Sequence, residues 1–335
     1  MVSSTQIQLI NRPVGWPTQD DFRTVAVELP DLAGDQVRVV NEFTSVDPYM
    51  RGRMNDVKSY IPPFVLGETM TGGAVGRVVE STADTHPVGS VVVHDLGWRD
   101  MAQGDASAFR VVKEIPGVPV SAYLGILGMT GLTAYVGLMH IAHLKPGESV
   151  FISGAAGAVG TAAGQIARLE GASRVIGSAG SAEKVALLSD RYGYDVALDY
   201  KTAPIREQLL GVAGDGIDVY FDNVGGDHLE AALAAMRNGG RAALCGAIAG
   251  YNSTERVPGP DNMMNIISRG LTLQGFTLGN YTHFFPEFAA KMGPWLASGD
   301  VVHDETVVDG IENSVDAFLQ LMRGGNVGKM LVKVA

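Results

Sequence analysis

Residues 149–160 read SVFISGAAGAVG, and the reading of this stretch decides the fold. Val150, Phe151 and Ile152 form a short apolar run of strand type, and glycines follow at once. Val159, Ala163, Ile166 and Ala167 then recur at the spacing of one helix face. Strand, glycine turn and helix in direct succession open a dinucleotide-binding unit. Gly154 stands where a tight turn needs a positive backbone angle, Gly157 where a pyrophosphate approaches the main chain, and Gly160 where helix and strand pack closely. The turn residues Ala155, Ala158 and Val159 then present backbone N–H groups at a helix N-terminus, which favours phosphate. Glycine is abundant, 43 of 335 residues, so taken alone the spacing also suits an ordinary turn.

Working outward, the texture of the chain changes near Tyr123. Before it, strand-type segments at 36–46, 74–80, 90–94 and 108–112 are separated by Pro and Gly turns with no long helical pattern, which predicts a mostly β domain, a small twisted barrel. After it, a helix is expected over 132–143, a turn at Lys145-Pro146-Gly147, and strands at 149–153, 174–177, 196–198, 217–221, 241–245 and 271–276 with helical segments alternating. Six strands with crossover helices predict a doubly wound parallel sheet, an α/β fold. A helix at 286–298, strands at 305–308 and 329–334 and a helix at 311–322 return to the texture of the first domain. The expected division is therefore 1–122 with 299–335 for one domain and 123–298 for the dinucleotide-binding domain.

Composition fits a large globular chain, 46% hydrophobic and 18% charged. A net charge of −11 without a dense basic run argues against nucleic acid or an anionic membrane as a partner. The apolar region 123–144 is broken by five glycines and two histidines, too interrupted for a membrane span. The N-terminal MVSSTQIQLINRP lacks the pattern of a signal peptide, and one cysteine, Cys245, fits a reducing compartment, so the cytoplasm is expected.

An NAD site usually closes its second strand with Asp or Glu about 20 residues beyond the glycines, holding the ribose hydroxyls. Here the strand end reads Gly177, Ser178, Ala179, Gly180, Ser181, with no carboxylate. Without the acid there is no repulsion against an added phosphate, and Lys184, one turn into the next helix, offers the opposite charge, so NADP is preferred. Absent the missing acid, Lys184 beside Glu183 would read as a solvated helix lysine.

A catalytic zinc needs thiolate and imidazole ligands. The chain has one thiol, and Gly67-Glu68-Thr69 stands where a zinc alcohol dehydrogenase would carry Gly-His-Glu, so no metal is expected. His140 and His143, placed i, i+3 on the expected helix, read as polar members of a half-buried face, and Cys245 as a buried small apolar residue. Hydride transfer then needs a hydrogen-bond donor at the substrate oxygen, for which a tyrosine phenol is suited. Tyr251 follows the fifth strand in CGAIAGYN, at the ligand-binding edge of such a sheet. Tyr49, in VDPYMRGRM, is expected in a loop after an N-terminal strand. On position alone Tyr251 serves equally as a loop anchor, and for Tyr49 anchoring is the simpler reading.

Taken together, VDPYMRGRM (46–54), GMTGLTAY (128–135), SGAAGAVG (153–160), EKVALL (183–188), FDNVGG (221–226), CGAIAGYN (245–252) and the terminal GNVGKMLVKV resemble the zinc-free medium-chain dehydrogenase/reductases. Within them the chain is similar to the leukotriene B4 12-hydroxydehydrogenase/prostaglandin reductase group, which includes curcumin-reductase-like enzymes and plant double-bond reductases. The resemblance spans nearly the whole chain. It implies a GroES-like N-terminal domain, NADPH as cofactor, reduction of the carbon–carbon double bond of α,β-unsaturated aldehydes and ketones, and a homodimer. It places Lys184 and Tyr200 at the 2′-phosphate and Asn326 near the cofactor. Asn223, Cys245, Gly246, Ala247, Ile248 and Tyr251 fall beside the nicotinamide half. Met129, Thr133, Ser178, Gly180, Phe276 and Leu278 are carried over as further cofactor contacts. Tyr251 matches the tyrosine near the nicotinamide ribose and the reacting carbonyl, and Tyr49 a substrate-pocket tyrosine. Thr130 departs from the group's usual Gly-Met-Pro-Gly, and GFTLGNYTHFF (275–285) is individual.

The leading expectation is an NADPH-dependent ene-reductase acting on a small enone or enal. A quinone reductase or secondary-alcohol dehydrogenase on the same scaffold, and a non-catalytic NADPH-binding protein, are the alternatives.

Overall fold

The computed structural model describes residues 2–334, which fall into two compact units, one running up to Gly125 and resuming at Glu305, the other Ile126–Asp304. The first unit opens with β1 (Val2–Leu9) and β2 (Phe22–Leu29), an antiparallel pair that the sequence did not announce. Its strand alternation is carried by polar residues: Ser4 and Gln6 face inward and are buried. The Ser4 hydroxyl donates to Met101 O at 2.7 Å.

Next come β3 (Gln36–Ser45), helix α1 (Tyr49–Arg53), β4 (Ala74–Ser81), β5 (Val91–His94), β6 (Met101–Asp105) and β7 (Phe109–Val111). Val37, Val39, Val78, Val92 and Phe109 pack between them as one apolar cluster. Tyr49, expected in a loop, opens α1 instead, because Pro48 is already helical at φ −60, ψ −31 and seeds the turn.

The second unit begins with α2 (Met129–Val136). The helix expected over 132–143 does not run through: residues Gly137–Ile141 form a π-helical turn, with Ala142 N–H bonded to Gly137 O at 2.9 Å. The extra residue ends the helix early. His143 lies outside it at φ +49 and is exposed, so His140 and His143 share no helix face. His140 instead stacks on Phe284, ring centroids 3.6 Å apart.

Strands β8 (Ser149–Ile152), β9 (Arg174–Ala179), β10 (Val196–Asp199), β11 (Ile217–Asp222), β12 (Met236–Leu244) and β13 (Thr272–Gly275) alternate with α3 (Ala158–Leu169), α4 (Ala182–Asp190), α5 (Ile205–Val212), α6 (Gly226–Ala235) and α7 (Met264–Ser268). All pair in parallel, in the order β10-β9-β8-β11-β12-β13. This is the doubly wound order, the winding of the parallel sheet switching sense between β8 and β11. The four residues of β8 are fully buried, as a central strand covered by helices on both faces requires. Phe151, Ile176, Leu209, Tyr220 and Ala231 form part of the core on one face.

Helix α8 (Phe285–Ser298) closes the second unit, stopped by Gly299 in the left-handed region. The chain then returns to the first unit as β14 (Glu305–Asp309), α9 (Ser314–Met322) and β15 (Lys329–Lys333), giving a sheet ordered β14-β15-β3-β4-β5-β7 with β6 also on β3. No helix among the described residues is long and apolar enough to cross a membrane.

Two buried histidines give this fold a pH dependence. In His94 the tautomer is fixed: Nδ1 accepts Leu96 N–H at 3.2 Å and Nε2 donates to Asn41 Oδ1 at 2.8 Å. Burial, reinforced by Arg99, pushes His94 down to about 3. Burial likewise pushes His228 down to about 4, against the opposing pull of Asp227. Unfolded imidazole titrates near ~6.5, so below that pH the unfolded chain binds more protons than the native one and stability falls as pH is lowered. We expect the melting temperature to drop by several degrees from pH 7.5 to pH 5, and His94→Gln, which cannot titrate, to flatten that profile in a thermal-melt series.

Candidate active site

Most candidate residues of the second unit follow the carboxyl end of a parallel strand, Met129 and Thr133 on α2 and Ser178 within β9 being the exceptions. Because all six strands run the same way, these ends share one edge of the sheet. After β8 come Ser153 and the glycine turn, after β9 Gly180, after β10 Tyr200, after β11 Asn223, after β12 Cys245–Tyr251, and after β13 Phe276 and Leu278. Ser178 lies in the last turn of β9 and is fully buried.

The turn itself is shaped for a diphosphate. Gly154 sits at φ +59, and Gly157 caps α3 without a side chain. A Cβ on Gly160 would lie 2.5 Å from Ala155 Cα, so only glycine allows this approach of helix to turn. The first-turn N–H groups of Ala158, Val159 and Gly160 have no intrahelical acceptor and face the edge where the strands end. Tyr194 locks the arrangement from below, its hydroxyl donating to Gly160 O at 2.7 Å.

Asp222, which sequence reasoning did not single out, ties the loops together. Its buried Oδ1 accepts from Tyr220 Oη at 2.7 Å, Ser153 Oγ at 3.1 Å, Val224 N at 3.0 Å and Gly225 N at 2.8 Å. Burial raises this carboxyl above its ordinary value while the Gly225 N–H and the other donors pull it back. Asn223 is held in turn, its N–H donating to Ser153 Oγ at 2.9 Å and its amide to Ser153 O at 2.8 Å. The carbonyl of Asp222 accepts the N–H groups of Cys245 and Gly246, both at 2.9 Å, and Asn223 O accepts Ile248 N–H at 3.4 Å. The loop carrying Tyr251 is thus fastened to β11 and, through Ser153, to the glycine turn. The sequence signal available was Asp-Asn-Val-Gly-Gly, a strand end followed by a glycine turn.

Tyr251 follows a short 3₁₀ turn, Ile248–Gly250, and is half-buried. Its oxygen accepts Ala247 N–H at 3.5 Å. Burial raises its phenol above the ordinary value, with Ala247 N–H acting against that, so at neutral pH it carries a proton to donate. Cys245 is partly rather than fully buried, since it stands one residue past β12 at the sheet edge instead of inside the layer. Burial nonetheless pushes its thiol up to about 12.

Lys184 lies in the first turn of α4, where Ser181 Oγ accepts its N–H at 3.3 Å. On α2, Met129 is exposed and its carbonyl accepts the Thr133 hydroxyl at 2.7 Å. Phe276 meets Phe221 edge to face, centroids 6.4 Å apart. The buried hydroxyls of Ser178 and Thr130 have no hydrogen-bond partner among the described residues.

Tyr49 and Asn326 belong to the first unit. Burial, then Asp47, raise the Tyr49 phenol against the opposing charge of Arg53, whose guanidinium is bonded to Pro62 O and Thr71. The start of α1 is pinned by Lys329, a buried ammonium 2.9 Å from Asp47 Oδ1 and 2.9 Å from Val46 O. Asn326, three residues earlier, is buried and donates to Gly328 O at 2.8 Å.

No group of three or more His, Cys, Asp or Glu among the described residues is disposed to hold a metal ion. A glycine cradle that a Cβ would fill, unpaired helix N–H groups and a carboxylate-free end of β9 followed by Lys184 fit a phosphorylated dinucleotide.

The chain matches two protein-family models, one described as the N-terminal domain of oxidoreductase over residues 5–112 and one as zinc-binding dehydrogenase over residues 158–296. It is 38% identical to the NADPH-dependent curcumin reductase of Escherichia coli, over 98% of this chain and 96% of that protein. It is also 38% identical to the NADP(+)-dependent 2-alkenal reductase of Nicotiana tabacum, over 100% of this chain and 98% of that one. Among solved structures, CurA from Vibrio vulnificus in complex with NADPH superposes with a TM-score of 0.93 at 41% identity, covering 99% of both chains. The chain belongs to the zinc-independent medium-chain dehydrogenase/reductases, in the double-bond reductase group. It is an NADP-dependent oxidoreductase, and its cofactor is NADPH/NADP+.

Asp222→Ala should remove four hydrogen bonds at one buried oxygen, costing about 3 kcal/mol of stability by chemical denaturation. It should also weaken NADPH binding by tenfold or more, roughly 1.4 kcal/mol. Asp222→Asn keeps an acceptor oxygen in place and should retain most of both.

Proposed function

We propose that this enzyme reduces the carbon–carbon double bond of α,β-unsaturated ketones and aldehydes. The observation that carries the reading is Tyr251: a phenol at the carboxyl edge of the sheet, its oxygen accepting Ala247 N–H and its proton retained by burial. Bound NADPH supplies a hydride, which in this reading goes to the β-carbon of the substrate. Tyr251 then donates a hydrogen bond to the carbonyl oxygen, where negative charge gathers as the double bond is lost, and a proton from solvent adds at the α-carbon to complete the reduction. A fixed backbone donor behind the phenol orients it for that task without reorganisation, and one donor suffices because the charge is delocalised over the enolate. Tyr49, at the start of α1 in the first unit, is assigned to the substrate pocket. The names of the relatives, a curcumin reductase and a 2-alkenal reductase, support the substrate class.

The cofactor contacts are assigned to the glycine turn 154–160, Lys184 and Tyr200 at the adenosine end, and Asn223 with Cys245–Tyr251 at the nicotinamide end. Met129, Thr133, Ser178, Gly180, Phe276, Leu278 and Asn326 are assigned as further contacts. A cytoplasmic location accords with a single cysteine, which cannot form an internal disulfide.

A homodimer belongs to the same reading. β13 is an outer strand with a sheet neighbour on one side only, and Thr272, Gln274 and Gly275 on it are exposed. Just before it, Met263, Met264 and Ile267 leave a cluster of large apolar side chains in solvent.

Oxidation of NADPH followed by absorbance should occur with enones and enals and not with a simple quinone or with a saturated ketone, the substrate of a secondary-alcohol dehydrogenase run in reverse. Tyr251→Phe should lower kcat by about 10²-fold while leaving the NADPH dissociation constant within a few-fold. Unchanged turnover would remove Tyr251 from the chemistry. Sedimentation equilibrium should report a dimer, and Ile267→Asp should shift it toward monomer without loss of secondary structure.

A further inference from the structure

The ends of β9 and β10 bring together side chains that no sequence pattern links. β10 ends at Asp199, whose Oδ1 accepts Lys201 N–H at 2.9 Å and whose carbonyl accepts the Thr202 hydroxyl at 2.9 Å. Gln208 Nε2 donates to the same carbonyl at 2.7 Å. This closed turn sets Tyr200 and Lys201 side by side at the carboxyl edge, with the Asp199 carboxylate directed into its own turn. Tyr200 is steadied from behind by the buried ring of His228, edge to face at 5.1 Å.

Across from them, β9 runs out into Gly180. A Cβ built on Gly180 would lie 2.6 Å from the Tyr200 hydroxyl and 3.2 Å from Lys201 Cε. Both side chains therefore reach over the main chain that follows β9, where a dinucleotide-binding fold receives the adenosine ribose, and the glycine is what admits them. Lys184, one turn into α4, borders the same place.

We propose that Lys201 is a second cation for the 2′-phosphate of NADPH, closing a pocket with Lys184 and Tyr200, and that it is a determinant of the preference for NADP over NAD. The family resemblance places Lys184 and Tyr200 there, and the geometry at Gly180 adds Lys201 to them. Two lysines at one strand edge oppose each other: Lys184 is held below its ordinary range first by burial and then by the charge of Lys201. A phosphomonoester, which carries close to two negative charges at neutral pH, relieves that repulsion when it stands between them. NADH, with a bare hydroxyl there, gives nothing in return.

The full-length protein should be titrated with NADPH, NADH, adenosine 2′,5′-diphosphate and AMP by calorimetry at fixed salt. For Lys201→Ala we expect NADPH and adenosine 2′,5′-diphosphate to bind about tenfold more weakly, with NADH and AMP within about twofold of the unaltered protein. Binding of NADH at full strength shows that the variant is folded. Lys201→Arg, which keeps the charge, should restore most of the preference. The assignment is overturned if Lys201→Ala leaves NADPH binding unchanged, if it weakens NADPH and NADH equally, or if Lys184→Ala alone abolishes the preference while Lys201→Ala does not touch it. The readout is binding alone, so a failed substrate assay does not bear on it.

Discussion

The buried carboxylate of Asp222 is the constraint on which the second unit's working edge depends. A parallel sheet delivers its loops to one edge but does not by itself fix them there. Four donors converge on a single oxygen of Asp222, and they come from β11, from the glycine turn through Ser153, and from the start of α6. Its backbone carbonyl anchors the segment that leads to Tyr251. Charge-assisted hydrogen bonds in a low-dielectric layer are short-ranged and directional, so the glycine turn and the phenol-bearing loop are positioned by one group rather than separately.

The same economy appears in the first unit, with opposite polarity. There the buried ion is an ammonium, Lys329, and it joins the last strand to the segment that begins α1. A buried pair of this kind adds little net stability, since both ions lose water, but either ion left alone would be costly. What the pair fixes is geometry: the entry to α1, and with it the placement of Tyr49, is tied to a strand that arrives almost 300 residues later.

Much of this was legible in the chain because apolar runs and glycines carry the local code. The six parallel strands, the order of motifs and the glycine turn follow from Val150-Phe151-Ile152 and its repeats at regular spacing. What escaped has specific causes. β1 turns Ser4 and Gln6 inward, so the usual alternation of apolar and polar residues is absent from it. The π-helical turn at Gly137–Ile141 shifts His143 off its expected face by one residue, which periodicity over 132–143 does not reveal. Cys245 falls one position outside its strand and so is not wholly enclosed. Asp222 and Lys201 are ordinary residues in ordinary turns until a partner some 70 residues away, or a neighbouring strand end, gives them a role.

On the proposed substrate class, the state of Cys245 has a consequence for how the site meets its substrate. Conjugated carbonyls are soft electrophiles that alkylate thiolates, and this thiol sits on the very strand end that leads to Tyr251. Burial, aided by the neighbouring charge of Asp222, pushes it up to about 12. At cellular pH almost none of it is in the nucleophilic form. On that reading the burial that surrounds the site also keeps its thiol in the form that does not add to a conjugated carbonyl.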